Sequence, residues 1–151
     1  MSHGNEITGE RIVEAELGSD LMRGACALRF EVFVDEQGVP RELELDELDP
    51  GATHLVAIVD DRVIGTLRLL EHDGAAKIGR VAVRATLRRA GVGARLMARA
   101  EAIAMARGFA EVVLLAQVAV AGFYRRLGYV EEGDLFEEAG IPHIAMRKQI
   151  G

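Results

Sequence analysis

Tryptophan is absent from this chain, cysteine occurs once and proline three times. With Cys26 alone, no internal disulfide can form and no cysteine metal cluster can assemble. No apolar run approaches the roughly 18 residues a membrane-crossing helix needs, and the polar start MSHGNE does not read as a signal peptide. The expectation is a cytoplasmic protein with no membrane partner and no metal. Lysine is scarce as well. Of 18 basic residues only Lys77 and Lys148 are lysine, so any anion site must be built from arginine forks. Positive charge is also outnumbered by 24 acids, for a net charge of −6, which argues against a nucleic-acid partner needing a basic face.

What remains is an ordinary globular composition, half hydrophobic and 28% charged over 151 residues. A chain of this length forms one domain and buries about 70% of its unfolded surface. The expected organisation is a flexible segment over 1–10 followed by a single domain over 11–151.

RIVEAEL (11–17) alternates and reads as a first strand. The stretch 19–37 opens on Ser19 or Asp20 as N-cap and carries Leu21, Ala25, Leu28 and Val32 at helical spacing. A turn-rich acidic connection follows. HLVAIV (54–59), a tight DDR turn and VIGTLRLLE (63–71) make a hairpin, and AKIGRVAV (76–83) adds a third strand. Residues 91–108 are rich in strong helix formers and end on Gly108. AEVVLLAQ (110–117) is a buried strand, so 76–117 form a βαβ unit with two parallel strands. A short helix over 118–128, then YVEEG and HIAMRKQI as strands, complete an α/β domain with a mixed sheet.

LRRAGVG (87–93) joins a strand to the long helix. The first N–H groups of that helix lack partners, and its dipole is positive there. Gly91 and Gly93 let a ligand approach bare backbone, while Arg88 and Arg89 add charge beside it. Together they form an anion site of the phosphate-binding type. A Walker loop would need Gly-Lys-Ser/Thr, whereas Gly93 is followed by Ala94 and Arg95. A dinucleotide fingerprint would need Gly or Ala where Leu96 stands. What remains is Arg-x-x-Gly-x-Gly.

That loop, from Arg88 to Gly93, resembles the coenzyme A pyrophosphate loop of the GNAT superfamily of N-acetyltransferases. AVAGFYRRLGY (119–129) resembles the helix of that superfamily that carries Phe-Tyr. LRFEVFVDEQGVPRELELDELD (28–49), THLVA (53–57), LLAQ (114–117) and FEEAGIPHIAMRK (136–148) are similar to its ElaA/YjcF-like branch. The resemblance implies a GNAT-type α/β fold: a mixed, mostly antiparallel seven-stranded sheet, a splayed central parallel pair and flanking helices. It further implies transfer of an acetyl group from acetyl-CoA to a primary amine by direct attack. On this reading Val81, Ala82 and Val83 line the pantetheine and oxyanion. Arg88, Arg89, Ala90, Gly91, Val92, Gly93 and Ala94 hold the pyrophosphate, and Gln117 and Tyr124 complete the coenzyme site. Gln117 departs from the superfamily's frequent Asn but is similar to the branch. Tyr124 would protonate the departing thiolate, and Phe123 is left to packing.

A base is harder to single out. Glu36, Glu44, Asp46, Glu71, His72 and His143 are all candidates, with Glu36 and His143 raised by their branch-like surroundings. Seven acids against Arg41 between Asp35 and Asp49, and five between Glu131 and Glu138, read either as solvated loops or as a funnel for a cationic amine. Arg29, Glu36, Gln37, Asp46 and His143 are the expected acceptor contacts, with Arg29 either facing a carboxylate of the acceptor or pairing with a nearby acid. The acceptor is a small-molecule or peptide amine and the protein a monomer or homodimer. Two alternatives stand beside this: a non-catalytic acyl-CoA-binding module, and an acyltransferase fed by acyl carrier protein through Arg84, Arg88, Arg89, Arg95 and Arg99.

Overall fold

A computed structural model describes residues 7–41 and 49–151. Seven strands form one sheet in the order β1-β2-β3-β4-β5-β7-β6. These are β1 (Arg11–Ala15), β2 (Thr53–Val59), β3 (Arg62–His72), β4 (Ala75–Val83), β5 (Glu111–Gln117), β6 (Val130–Glu138) and β7 (Ile141–Gln149). Every neighbouring pair is antiparallel except β4 and β5. Three two-residue turns make the hairpins: Asp60–Asp61, Asp73–Gly74 and Ala139–Gly140, all at positive φ. Backbone twist of that hand suits the right-handed twist of the flanking strands, and Asp and Gly tolerate the conformation.

Helix α1 (Asp20–Arg29) starts at Ser19, whose hydroxyl accepts from the Met22 N–H at 3.1 Å. The helix expected to run on to residue 37 changes character at Phe30 and continues as a seven-residue π-helix, Phe30–Glu36. Met22, Ala25, Leu28 and Val32 pack against Val56, Ile58, Val63 and Ala82 on one face of the sheet. On the other face α2 (Val92–Ala106) presses Leu96, Met97, Ala100 and Ala104 against Leu55, Leu67, Ile78 and Val112. The short α3 (Ala121–Arg126), entered through a 3₁₀ turn over Val118–Val120, adds Ala121 and Tyr124 to that core.

Two expectations change. The stretch after Tyr129 is no short strand followed by an acidic loop: β6 runs through all five acids to Glu138. It is an edge strand with nearly every residue exposed, and charge on such an edge blocks pairing with another chain. The N-terminal segment is also not free up to residue 10. Ile7 packs against the core, and Glu10 meets Arg95 through two hydrogen bonds of 2.6 and 2.7 Å.

Candidate active site

Strands β4 and β5 pair only at Ala76↔Val112 and Lys77↔Val113. From Ile78 onward they diverge, leaving that flank of β4 without a strand neighbour. A bulge sits where they part. Gly79 opposes Arg68 and Ala82 opposes Thr66, so Arg80 and Val81 together face Leu67 alone. Arg80 adopts φ 53° to make the extra residue fit. A bulge bends its strand and re-aims the backbone groups after it. Here those groups belong to Val81, Ala82 and Val83.

Immediately downstream, a 3₁₀ turn (Ala85–Leu87) delivers the chain to the glycine loop. Gly91 caps α2 in the left-handed region at φ 83°, a conformation costly for side chains with a Cβ. The first intrahelical bond donated here is Arg95 N–H to the Gly91 carbonyl at 3.1 Å. The N–H groups of Val92, Gly93 and Ala94 therefore point out of the helix end unused by the helix. Gly93 is needed for a different reason. A Cβ there would lie 3.2 Å from the Phe123 ring, so Phe123 packs under the loop, in keeping with its assignment to packing.

Tyr124 is buried at 8% exposure, its ring edge-on to Phe123 (5.0 Å between centroids) and to Tyr129 (6.0 Å). Burial pushes its phenol up to about 12, so it carries its proton throughout the neutral range. Tyr129 is anchored behind it. Its hydroxyl donates to Glu101 at 2.7 Å, and Lys148 holds the other oxygen of that carboxylate at 2.9 Å.

The end of the π-helix reaches both sides of the gap. Glu36 meets Arg88 through both carboxylate oxygens, at 2.8 and 2.9 Å. Arg88 in turn donates its Nε–H to the Val83 carbonyl at 3.0 Å. Gln37, one residue on, accepts from the Gln117 amide at 2.8 Å at the end of β5. Across β5 and β7, Gln117 sits opposite His143, which sits opposite Phe136 on β6 and stacks on its ring at 5.7 Å. His143 is buried at 7% exposure. Its Nδ1 lies 2.7 Å from the Ile141 carbonyl, and its Nε2 lies 3.7 Å from Glu138. A carbonyl only accepts, so neutral His143 carries its hydrogen on Nδ1 and keeps a lone pair on Nε2.

The structure thus brings Glu36 to Arg88 and Gln37 to Gln117 at the opening, sets His143 opposite Gln117 on β7, and places the others elsewhere. Arg29 follows the second of its two readings and pairs with an acid. It is 1% exposed and bound to Asp49 at 3.2 Å, and Arg68 shares the same oxygen at 2.9 Å. Burial alone would raise Asp49, but the two guanidiniums outweigh it and hold its carboxyl below the usual range. Glu71 and His72 are exposed at the turn where β4 begins, about 25 Å of strand from the loop that follows its end. Glu44 and Asp46 lie outside the described residues. Arg89 is exposed beside the loop, with Ala90 partly buried under it.

Several contributors went unmarked in the sequence. Gly65 on β3 lets α2 seat closely, since a Cβ there would meet Val92 at 2.8 Å and Leu96 at 2.9 Å. An isolated glycine inside a strand pattern is the signal that could have found it. Glu138 and Phe136, the partners of His143, were hidden in a stretch read as loop.

A bulged strand, a parallel pair parted beyond two residues and a glycine-capped helix end define an acyltransferase of the GNAT type. The chain belongs to that family: the acetyltransferase (GNAT) domain matches residues 7–150. It is 38% identical over 128 residues to the uncharacterized N-acetyltransferase YjcF of Bacillus subtilis, covering 84% of this chain and 91% of that one. Among solved structures it is similar to an acyl-CoA N-acyltransferase from Pseudomonas aeruginosa (34% identity, TM-score 0.82, 92% and 99% of the two chains). It is also similar to Escherichia coli ElaA (29%, TM-score 0.81, 92% and 97%).

Proposed function

We propose that this chain transfers an acetyl group from acetyl-CoA to a primary amine, on a small molecule or a peptide, by direct attack. The observation that carries the reading is continuity. The ladder between β4 and β5 stops, β4 bulges, and the strand then leads through a 3₁₀ turn and the glycine loop to a helix end with unused N–H groups. The Pseudomonas relative, by name an acyl-CoA N-acyltransferase, supports the donor class.

In this reading the N–H groups of Val92, Gly93 and Ala94 hold the pyrophosphate, with Arg89 beside them. Val81, Ala82 and Val83 offer backbone groups along the pantetheine arm and to the oxygen that becomes negative on attack. Fixed donors in a site shielded from water stabilise that charge strongly. His143 accepts a proton from the acceptor's ammonium on Nε2, which frees the amine lone pair to attack the thioester carbon, and Glu138 steadies the imidazolium that forms. Glu36 is the weaker base candidate because Arg88 already occupies its carboxylate. Tyr124 gives its proton to the thiolate as the carbon–sulfur bond breaks.

The carrier-protein alternative needs free positive charge around the loop. Three of its five arginines already face carboxylates: Arg84 with Glu31 at 3.9 Å, Arg88 with Glu36 and Arg95 with Glu10.

Isothermal titration with acetyl-CoA tests the donor. Micromolar binding by the protein, lost in the variant Gly91→Trp/Gly93→Trp, is the expected result. A folded protein that binds no acetyl-CoA at millimolar concentration refutes the reading.

A further inference from the structure

Two contacts reach the two sides of the opening between β4 and β5 from adjacent residues, one at the end of the π-helix and one just past it. Gln37 ties to β5 through Gln117, and Glu36 ties to the coenzyme loop through Arg88. The first joins neutral amides. The second uses the one arginine of the loop motif whose side chain is already committed, and it links residues 52 positions apart in the chain. Arg88 is about half-exposed, so its guanidinium can leave Glu36 without dragging the core along. Its Nε bond to Val83 keeps it at the end of β4 whichever anion it faces.

We propose that Glu36 is a positioning residue that competes with the coenzyme's pyrophosphate for Arg88. Without coenzyme, Glu36 satisfies Arg88 and its own carboxylate is taken. When a diphosphate docks on the α2 terminus, Arg88 exchanges one anion for the other, because a diphosphate carries more charge and offers more acceptor oxygens than a carboxylate. Glu36 is then released at the mouth, one residue from the Gln37–Gln117 bridge, as an anion for a cationic acceptor. Coenzyme binding thereby prepares the acceptor side, and the acceptor's favoured moment comes after the coenzyme. This inference rests on the acetyl-CoA reading above and gives that site an order of events.

The test is a binding cycle with coenzyme A and, separately, pantetheine, which lacks the diphosphate. Four proteins are compared: the unaltered chain, Glu36→Gln, Arg88→Met and the double variant. Exposed ion pairs are worth little, so the expected effects are modest. Glu36→Gln should bind coenzyme A about two- to five-fold more tightly, because Arg88 no longer has to be won from a carboxylate. The gain should vanish in the Arg88→Met background, and pantetheine affinity should be the same in all four. A general repulsion between Glu36 and phosphate would instead keep the gain when Arg88 is gone, which overturns the proposal. Weaker coenzyme A binding by Glu36→Gln also overturns it, since the pair would then persist in the complex. Failure of the unaltered protein to bind coenzyme A at all would refute the acetyl-CoA reading itself.

Discussion

The buried phenol of Tyr124 has two measurable consequences. Replacing Tyr124 with Phe keeps the ring and its edge-on packing against Phe123 and Tyr129 but removes the proton to be donated. Turnover should fall about 100-fold or more while coenzyme affinity stays within two-fold, as measured by thiol release and by titration. Unchanged turnover would reduce Tyr124 to a core residue. The second consequence concerns alkali. Tyr124 titrates near 10 when unfolded and at about 12 when folded, so its stabilising contribution is complete below pH 10 and is lost as pH climbs towards 12. Tyr129 is raised by burial and then by Glu101, and it acts in the same direction. Urea unfolding between pH 9 and 11.5 should show stability dropping above pH 10 by about 1.4 kcal/mol per pH unit from Tyr124. At acid pH the sign reverses for Asp49. Its lowered pKa stabilises the fold above the ordinary carboxylate range and is lost as pH falls below it. Asp49→Asn removes the shared partner of Arg29 and Arg68 and should cost about 3 kcal/mol in the same assay at neutral pH.

At the scale of elements, the seating of α2 on the sheet decides where the glycine loop points. Gly65→Ala would press a methyl into Val92 and Leu96, which lie at 2.8 and 2.9 Å from its position. The expected outcome is a loss of about 1–3 kcal/mol in stability together with weaker coenzyme binding, read by unfolding and titration. Stability lost with affinity intact would show that the loop moves independently of the helix. This scale also marks how far the sequence could be read. Periodicity and capping residues exposed α1, α2 and the meander from β2 to β4, because those signals are local. The glycine turn that opens α2 and the short helix that carries Tyr124 were legible because short motifs carry their own geometry. The π-helix was not, since Phe30–Glu36 has the composition of ordinary helix and its widening is set by what it packs on. Strand β6 was misread because five acids on an edge strand look like a solvated loop when the pairing partner is unknown. For Arg29 the sequence left a substrate and a nearby acid as equal readings because its partner Asp49 lies 20 residues away, and Glu36 looked available as a base because Arg88 lies 52 away. Long-range pairing of charges leaves no mark in local pattern.

For the molecule as a whole, a ligand that binds only the folded form must raise its melting temperature. Coenzyme A at about 100 times its dissociation constant adds about 2.7 kcal/mol, which for a chain of this size is an increase of about 5–10 °C in Tm. A scan with and without coenzyme checks this, and an unchanged Tm at saturating coenzyme would mean that the unfolded chain binds it equally well. No helix among the described residues is long and apolar enough to cross a membrane.

The two-residue junction between β4 and β5 also makes the sheet a pair of plates joined along a short seam. Strands β1 to β4 form one plate and β5, β7 and β6 the other, each stitched internally by long antiparallel ladders. Only Ala76, Lys77, Val112 and Val113 are sewn across. Small changes in the angle between the plates therefore stretch few hydrogen bonds, and they widen or narrow the far end of the slot many times more than they disturb the seam. The angle between the plates is held by α2, which packs on strands of both, and by the side-chain link between Gln37 and Gln117, which stays when Arg88 turns from Glu36 to another anion.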